Sequence, residues 1–324
     1  MTTRKMPQLV AGLVCLFFIS ACALETTTMP LLPDDNMSGA AFARSAEEYY
    51  NAGRYDQAIK LYTEAIRHGP VYASAYHGRG LTYGRKEDYD RAIQDFDQAI
   101  WLDPTNASAY LGRGLIYGRK KDYDRAIQDF NEAIRLDPAY VSAYNNRGVA
   151  YQRKGLYHLA NLDFDEAIRL SPADVSAFHG RAIISSLMGD HVRAIERYTV
   201  AIRLDPENAS AYNNRGIALR ERGYHSHAIQ DYSEAIRLEP DYASAYNNRC
   251  WEYGLLRRPL KALKDCNESL RLRPDDPATL DSRALAYWLL NEYDKAQRDL
   301  ERAHEIESTF PLWQDRFREF AEIL

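Results

Sequence analysis

The chain has 324 residues, with 41 Lys or Arg against 46 Asp or Glu, a formal charge of −5 at pH 7. A mildly acidic balance without a basic stripe or polybasic run argues against nucleic acid as a partner and against purely electrostatic attachment to a membrane. Length alone predicts about two domains, an expectation that the repeat pattern below replaces.

At the N-terminus, Arg4 and Lys5 precede an apolar run from Leu9 to Ile19, followed by Ser20, Ala21 and Cys22. Charged, apolar and small residues in that order predict an export signal over residues 1–21. The 16 residues from Leu9 to Leu24 fall short of the ~20 that a spanning helix needs. Ile19-Ser20-Ala21-Cys22 resembles the lipobox of bacterial lipoproteins. That resemblance implies an acylated, palmitate-bearing Cys22 as the mature N-terminus. Ala23, in place of an aspartate, implies an outer-membrane anchor facing the periplasm. The alternative is plain cleavage, since Ala21-Cys22-Ala23 also fits the small-residue pattern; Cys22 would then be lost and a soluble periplasmic protein left. Residues 22–38 carry Thr and Pro without helical periodicity, which predicts a flexible tether after Cys22.

From Gly39 onward the chain repeats every 34 residues without an insertion, restarting at Ala73, Ala107, Val141, Val175, Ala209, Ala243 and Pro277. Ala107 to Tyr140 shows the unit. Tyr110, Gly114 and Tyr117 recur at helical spacing, Asp122-Tyr123 breaks the pattern, and Ala126, Phe130, Ala133 and Leu136 recur before Pro138. Neither helix buries its apolar face alone, so the unit becomes stable only by stacking. The pattern resembles the tetratricopeptide repeat. It implies an all-α, right-handed superhelical solenoid of eight helix-turn-helix repeats over residues 39–310, with first helices lining a concave groove. An adaptor or scaffold that binds protein segments is the function implied, with envelope proteins as partners. A purely structural or oligomerising scaffold with an empty groove is the rival.

Within the stack, Arg79, Arg113, Arg147, Arg181, Arg215, Arg249 and Arg283 share the seventh position, and six of them have an aspartate 16 residues later: Asp95, Asp129, Asp163, Asp231, Asp265 and Asp299. This co-occurrence within one chain predicts structural ion pairs. Repeat five breaks the rule with Arg197 and is expected to be weaker or bent. Gly78, Gly84, Gly112 and Gly118 fall on the groove side and are expected to leave space there. The eight histidines form no metal-ligand set, and no phosphate loop, nucleophile elbow or HExxH is present. The expectation is a non-enzyme without metal or cofactor. Asn106, Asn208 and Asn267 head Asn-x-Ser triplets.

The repeat resemblance places the groove on the second, fifth, sixth, ninth, twelfth and thirteenth positions of each first helix. Asn145, Asn146, Asn213, Asn214, Asn247 and Asn248 fall on the fifth and sixth, Leu81, Leu115, Val149, Ile183, Ile217 and Trp251 on the ninth, and Arg85, Arg119 and Arg153 on the thirteenth. An asparagine amide both donates and accepts, which suits the backbone of an extended peptide. The ligand expected is an extended, partly apolar segment with some acidic residues. Gly180 interrupts the asparagine row.

Repeat seven departs most, with Cys250 in place of the close-packing glycine and Cys266 in place of the aromatic. A register offset of about one helical turn predicts two buried free thiols rather than a bridge. Residues 311–324 place Trp313, Phe317, Phe320 and Leu324 on one helix face, which predicts a C-terminal capping helix or, alternatively, a homodimer surface.

Overall fold

The computed structural model describes residues 38–69 and 71–323. The leader, Cys22, the tether up to residue 37, Pro70 and Leu324 lie outside the described residues. Seventeen helices follow one another among the described residues. They run in pairs: α1 (Gly39–Asn51) with α2 (Tyr55–His68), α3 (Ala73–Arg85) with α4 (Tyr89–Leu102), α5 (Ala107–Arg119) with α6 (Tyr123–Leu136), and α7 (Val141–Arg153) with α8 (Tyr157–Leu170). The second half continues with α9 (Val175–Leu187) and α10 (His191–Leu204), α11 (Ala209–Glu221) and α12 (His225–Leu238), α13 (Ala243–Leu255) and α14 (Pro259–Leu272), α15 (Pro277–Leu289) and α16 (Tyr293–Ile306). A single final helix, α17 (Trp313–Ile323), closes the series.

Local chemistry sets these boundaries. Asn106, Asp174, Asn208 and Asp276 cap first helices by accepting from the backbone N–H three residues on. Asp88, Asp122 and Asp190 do the same for second helices, satisfying donors that a helix start leaves open. The asparagines of two Asn-x-Ser triplets, Asn106 and Asn208, are therefore occupied as caps. Between the helices of every repeat sits one residue with positive φ: Gly53, Glu87, Lys121, Gly155, Gly189, Gly223, Arg257 and Asn291, all between 52° and 77°. That left-handed residue reverses the chain in a minimal turn.

Stacking follows from small residues. Ala58, Ala92, Ala126, Ala160, Ala194, Ala228, Ala262 and Ala296 are fully buried, as are Ala65, Ala99, Ala133, Ala167, Ala201, Ala235 and Ala303. Each second helix packs on its own first helix and on the first helix of the next repeat, while successive first helices also touch one another. The first helices thus form the inner layer.

All six expected Arg–Asp pairs form. Each guanidinium grips its aspartate through Nε and Nη2 at 2.6–2.9 Å. The remaining nitrogen, Nη1, reaches back to the second helix of the preceding repeat. Arg79 meets Thr63, Arg113 meets Asp97, Arg147 meets Asn131, Arg215 meets Thr199, Arg249 meets Ser233 and Arg283 meets Asn267. The pairs therefore also staple repeat to repeat. Burial works against the Arg113 charge, but hydrogen bonds to Asp129 and Asp97 outweigh it and raise its pKa; burial pushes the Asp129 carboxyl up. Asp129→Ala is expected to cost about 2 kcal/mol by leaving two donors of a partly buried guanidinium unpaired, with Asp97 as its remaining counter-charge. Adding Arg113→Leu should recover part of that loss in urea melts, and no recovery would show the two residues to be uncoupled.

Two expectations are corrected here. Three of the four groove-side glycines leave no space: a Cβ on Gly78 would meet the Tyr62 ring at 2.4 Å, one on Gly112 the Phe96 ring at 2.5 Å, and one on Gly84 the Ile116 side chain at 2.7 Å. The aromatic of the preceding repeat fills the notch at Gly78 and Gly112 and an isoleucine of the following repeat fills it at Gly84, whereas Gly118, alone of these four, has nothing within 4 Å. The cysteines are also not free thiols. Cys250 on α13 and Cys266 on α14 form a disulfide with Cα atoms 5.5 Å apart. The expected register offset is absent, because the eighth and twenty-fourth positions face each other directly in other repeats: a Cβ on Gly148 would lie 2.9 Å from the Phe164 ring, and one on Gly216 2.6 Å from the Tyr232 ring.

α17 packs where the first helix of a ninth repeat would begin. Arg316 binds Asp281 across 35 residues, close to one repeat length, and Phe320 is fully buried beside Leu285 and Leu300 with Trp313 and Phe317 against them. Phe320 is spent inside the chain and Trp313 and Phe317 are half-buried against the same cluster, as suits a cap.

Candidate functional site

The inner layer carries the expected groove residues, and the structure divides them into two groups. The first is a polar ladder running between successive first helices. Asn248 donates to Asn213 at 2.9 Å, Asn213 to Asn214 at 3.3 Å, and the Asn214 amide sits 3.4 Å from Nε2 of His179. Asn213 is only 4% exposed, so its amide serves the stack rather than the solvent face. His179, which sequence reasoning passed over, continues the ladder where Gly180 interrupts the sixth position. A Cβ on Gly180 would lie 2.4 Å from the Phe164 ring. Burial lowers the His179 pKa to about 4. Asn145 donates to Asp174 at 2.9 Å and Asn146 to the Ser142 carbonyl at 2.7 Å. Oδ1 of Asn145 and of Asn247 are buried without a partner.

The second group reaches solvent only in part. Arg119 and Arg153, on α5 and α7, are exposed, and Val149 between them is 40% exposed. Arg85 donates to the Tyr50 hydroxyl at 3.1 Å, tying α3 to α1. Leu81, Leu115, Ile183 and Ile217 are half-buried. Trp251 packs into the C-terminal cluster with Arg316 5.4 Å from its ring, so it supports the cap. The structure therefore gathers the solvent-facing candidates on repeats three and four and leaves the asparagines of repeats six and seven bonded largely to one another.

One further group was not legible. Glu252 on α13 is fully buried at a position where α11 and α15 carry the alanines Ala218 and Ala286. It receives Nδ1 of His225 from α12 at 2.7 Å, and burial raises its pKa. Among the described residues no cluster of three or more His, Cys, Asp or Glu could hold a metal ion, and no helix is long and apolar enough to cross a membrane.

Tetratricopeptide repeat models match residues 44–107, 141–174 and, as a TPR repeat, 119–155, 187–223 and 217–249. Together these matches cover more than half of the chain; the first two follow the helix pairs within repeats, and the last three run from a second helix into the first helix of the next repeat. The chain belongs to the tetratricopeptide repeat family. It is accordingly a protein-interaction scaffold of a family that is typically non-enzymatic. None of the curated proteins matches it. Solved structures share the fold at low identity. A tetratricopeptide repeat protein from Parabacteroides merdae is 18% identical with a TM-score of 0.62, over 76% of this chain and 98% of that one. The pilF protein of Pseudomonas aeruginosa is 19% identical with a TM-score of 0.58, over 65% and 96%. A chain of the Cut9–Hcn1 hetero-tetramer is 19% identical with a TM-score of 0.65, over 76% of this chain and 48% of that one.

Proposed function

We propose that this tetratricopeptide scaffold is an exported adaptor, anchored by lipid on Cys22 at the outer membrane and facing the periplasm, that holds extended segments of envelope proteins on its first-helix layer. The observation that carries the binding reading is the outward face of repeats three and four, where Arg119, Val149 and Arg153 combine positive charge with an apolar side chain. An acidic, partly apolar segment complements it. The apolar leader with its Ile19-Ser20-Ala21-Cys22 order supports export. The Cys250–Cys266 disulfide supports it independently, because such bridges persist in oxidising compartments.

The test follows the structure rather than the asparagine row, since alanine at Asn213 or Asn248 would also disturb the stack. Arg119→Glu combined with Val149→Asp is expected to leave helicity and melting nearly unchanged, because both side chains face solvent, and to abolish crosslinked capture of partners from envelope fractions. Unchanged capture would return the protein to the class of a spacer with an empty groove. Intact mass of the mature protein reports on the anchor: a species starting at Leu24 without added mass would leave a soluble periplasmic protein.

A further inference from the structure

The seam of repeat five is unlike its siblings. In the six repeats with an Arg–Asp pair, Nε of the seventh-position arginine donates to the aspartate. In repeat five α10 supplies Arg197 instead. Arg181 on α9 keeps the backward staple, with Nη1 2.5 Å from Asp165 of α8, but its Nε is buried without a partner. Arg197 turns its Nη1 to the Arg181 carbonyl at 3.1 Å and to the Ser185 hydroxyl. Neither acceptor is charged.

The neighbouring charges do not neutralise this seam. Asp165 is engaged by Arg181, and Asp190 by Arg193 at 3.3 Å. Glu196 is exposed on the rim and forms no ion pair with Arg197 among the described residues. One guanidinium is left over beside one orphaned donor. Burial, and then the Arg181 charge, lowers the Arg197 pKa, the direction expected of a cation that lacks its counter-ion.

We propose that the seam between α9 and α10 is a carboxylate-binding site, in which Arg181 and Arg197 together grip an acidic group supplied from outside the chain. The ligand class follows from the sibling seams, each of which holds a planar carboxylate by both oxygens at the corresponding place. Two guanidiniums with their forked donors suit the same group. Access follows from repeat seven, where the corresponding seam opens as a cleft of about 240 Å³ lined by Tyr246, Arg249, Lys264, Asp265 and Glu268. In repeat five the Arg181 side chain is 26% exposed and Arg197 is half-buried, and binding requires Arg197 to turn away from Ser185. The site is separate from the face of repeats three and four, and it does not rest on the reading given for that face.

The test uses the full chain with two probes, succinate and a terminally blocked Gly-Glu-Gly peptide, each at an ionic strength matched with sodium chloride. The expected result is a saturable shift of the Arg181 Nε–H signal in nitrogen-edited NMR, with a dissociation constant of roughly millimolar order, and a rise in melting temperature that tracks occupancy. R197D rebuilds the chain's own Arg–Asp pattern, so it folds, fills the seam from within and should lose both responses. R197L should weaken binding at least ~10-fold. Preference between the probes distinguishes a free dicarboxylate from a partner's side chain, whereas a blocked Gly-Gln-Gly peptide should have no effect. No saturable shift in the parent with either probe, or equal responses in parent and R197D, would overturn the proposal.

Discussion

Asp281→Ala is expected to detach the C-terminal cap, at a cost of about 3–5 kcal/mol to the docking of α17. Arg316 and Asp281 are more deeply buried than the other ion pairs, with side-chain exposures of 8% and 5%. The guanidinium also lies 4.9 Å from the Phe320 ring and 5.4 Å from that of Trp251. Removing the carboxylate leaves a cation enclosed by apolar walls, with Glu319 on its own helix as the remaining counter-charge. Because a solenoid couples only neighbours, the loss should stay local: α17 is released, and repeat eight frays while repeats one to five melt as before. Limited proteolysis after Phe310, together with fluorescence of Trp288 and Trp313 during urea unfolding, would report it. Asp281→Leu with Arg316→Leu should restore docking, since an apolar pair of similar volume removes the stranded charge. Parental protease resistance in Asp281→Ala would mean that the pair contributes nothing to the cap.

The fold was legible because a 34-residue period with small residues and prolines at fixed places leaves little freedom in how helices pair. Comparison of repeats within the chain also exposed the Arg–Asp rows. What the pattern hid were contacts that cross from one repeat to the next. The backward reach of each arginine ends on Thr63, Asp97, Asn131, Asp165, Thr199, Ser233 or Asn267. Those acceptors recur every 34 residues and all offer a side-chain oxygen, but as Thr, Asp, Asn or Ser they differ in type, and an identity-based comparison of repeats passes over them. The turn residue was equally hidden, since its positive φ is met by Gly53 or Gly155 but also by Glu87 and Lys121. The asparagines illustrate the opposite error. Amides at groove positions look free in a sequence, yet Asn213 and Asn248 are placed between helices that approach closely enough to bond them to each other.

Reduction of the Cys250–Cys266 bridge is expected to destabilise repeats six to eight by about 3 kcal/mol, the order estimated for closing a loop of about 15 residues. The bridge spans a separation of 16 residues and has a second role that loop entropy omits. In repeats three, four and six the same seam is filled by an aromatic ring lying against a glycine, Phe130 on Gly114, Phe164 on Gly148 and Tyr232 on Gly216. Two cysteines carry less volume than a phenyl ring, so the covalent bond holds together a seam that packing alone fills less well. With reductant, denaturant unfolding should separate into an early transition of the C-terminal repeats and a later one of the rest, because neighbouring repeats lose cooperativity once one interface weakens. Cys250→Gly combined with Cys266→Phe rewrites repeat seven in the chain's own pattern. That variant should unfold at the same midpoint with and without reductant, and close to the oxidised parent. Equal sensitivity of parent and variant to reductant would place the redox effect elsewhere. An insensitive parent would mean that α13 and α14 are held by their remaining contacts, among them the Arg249–Asp265 pair one residue before the bridge.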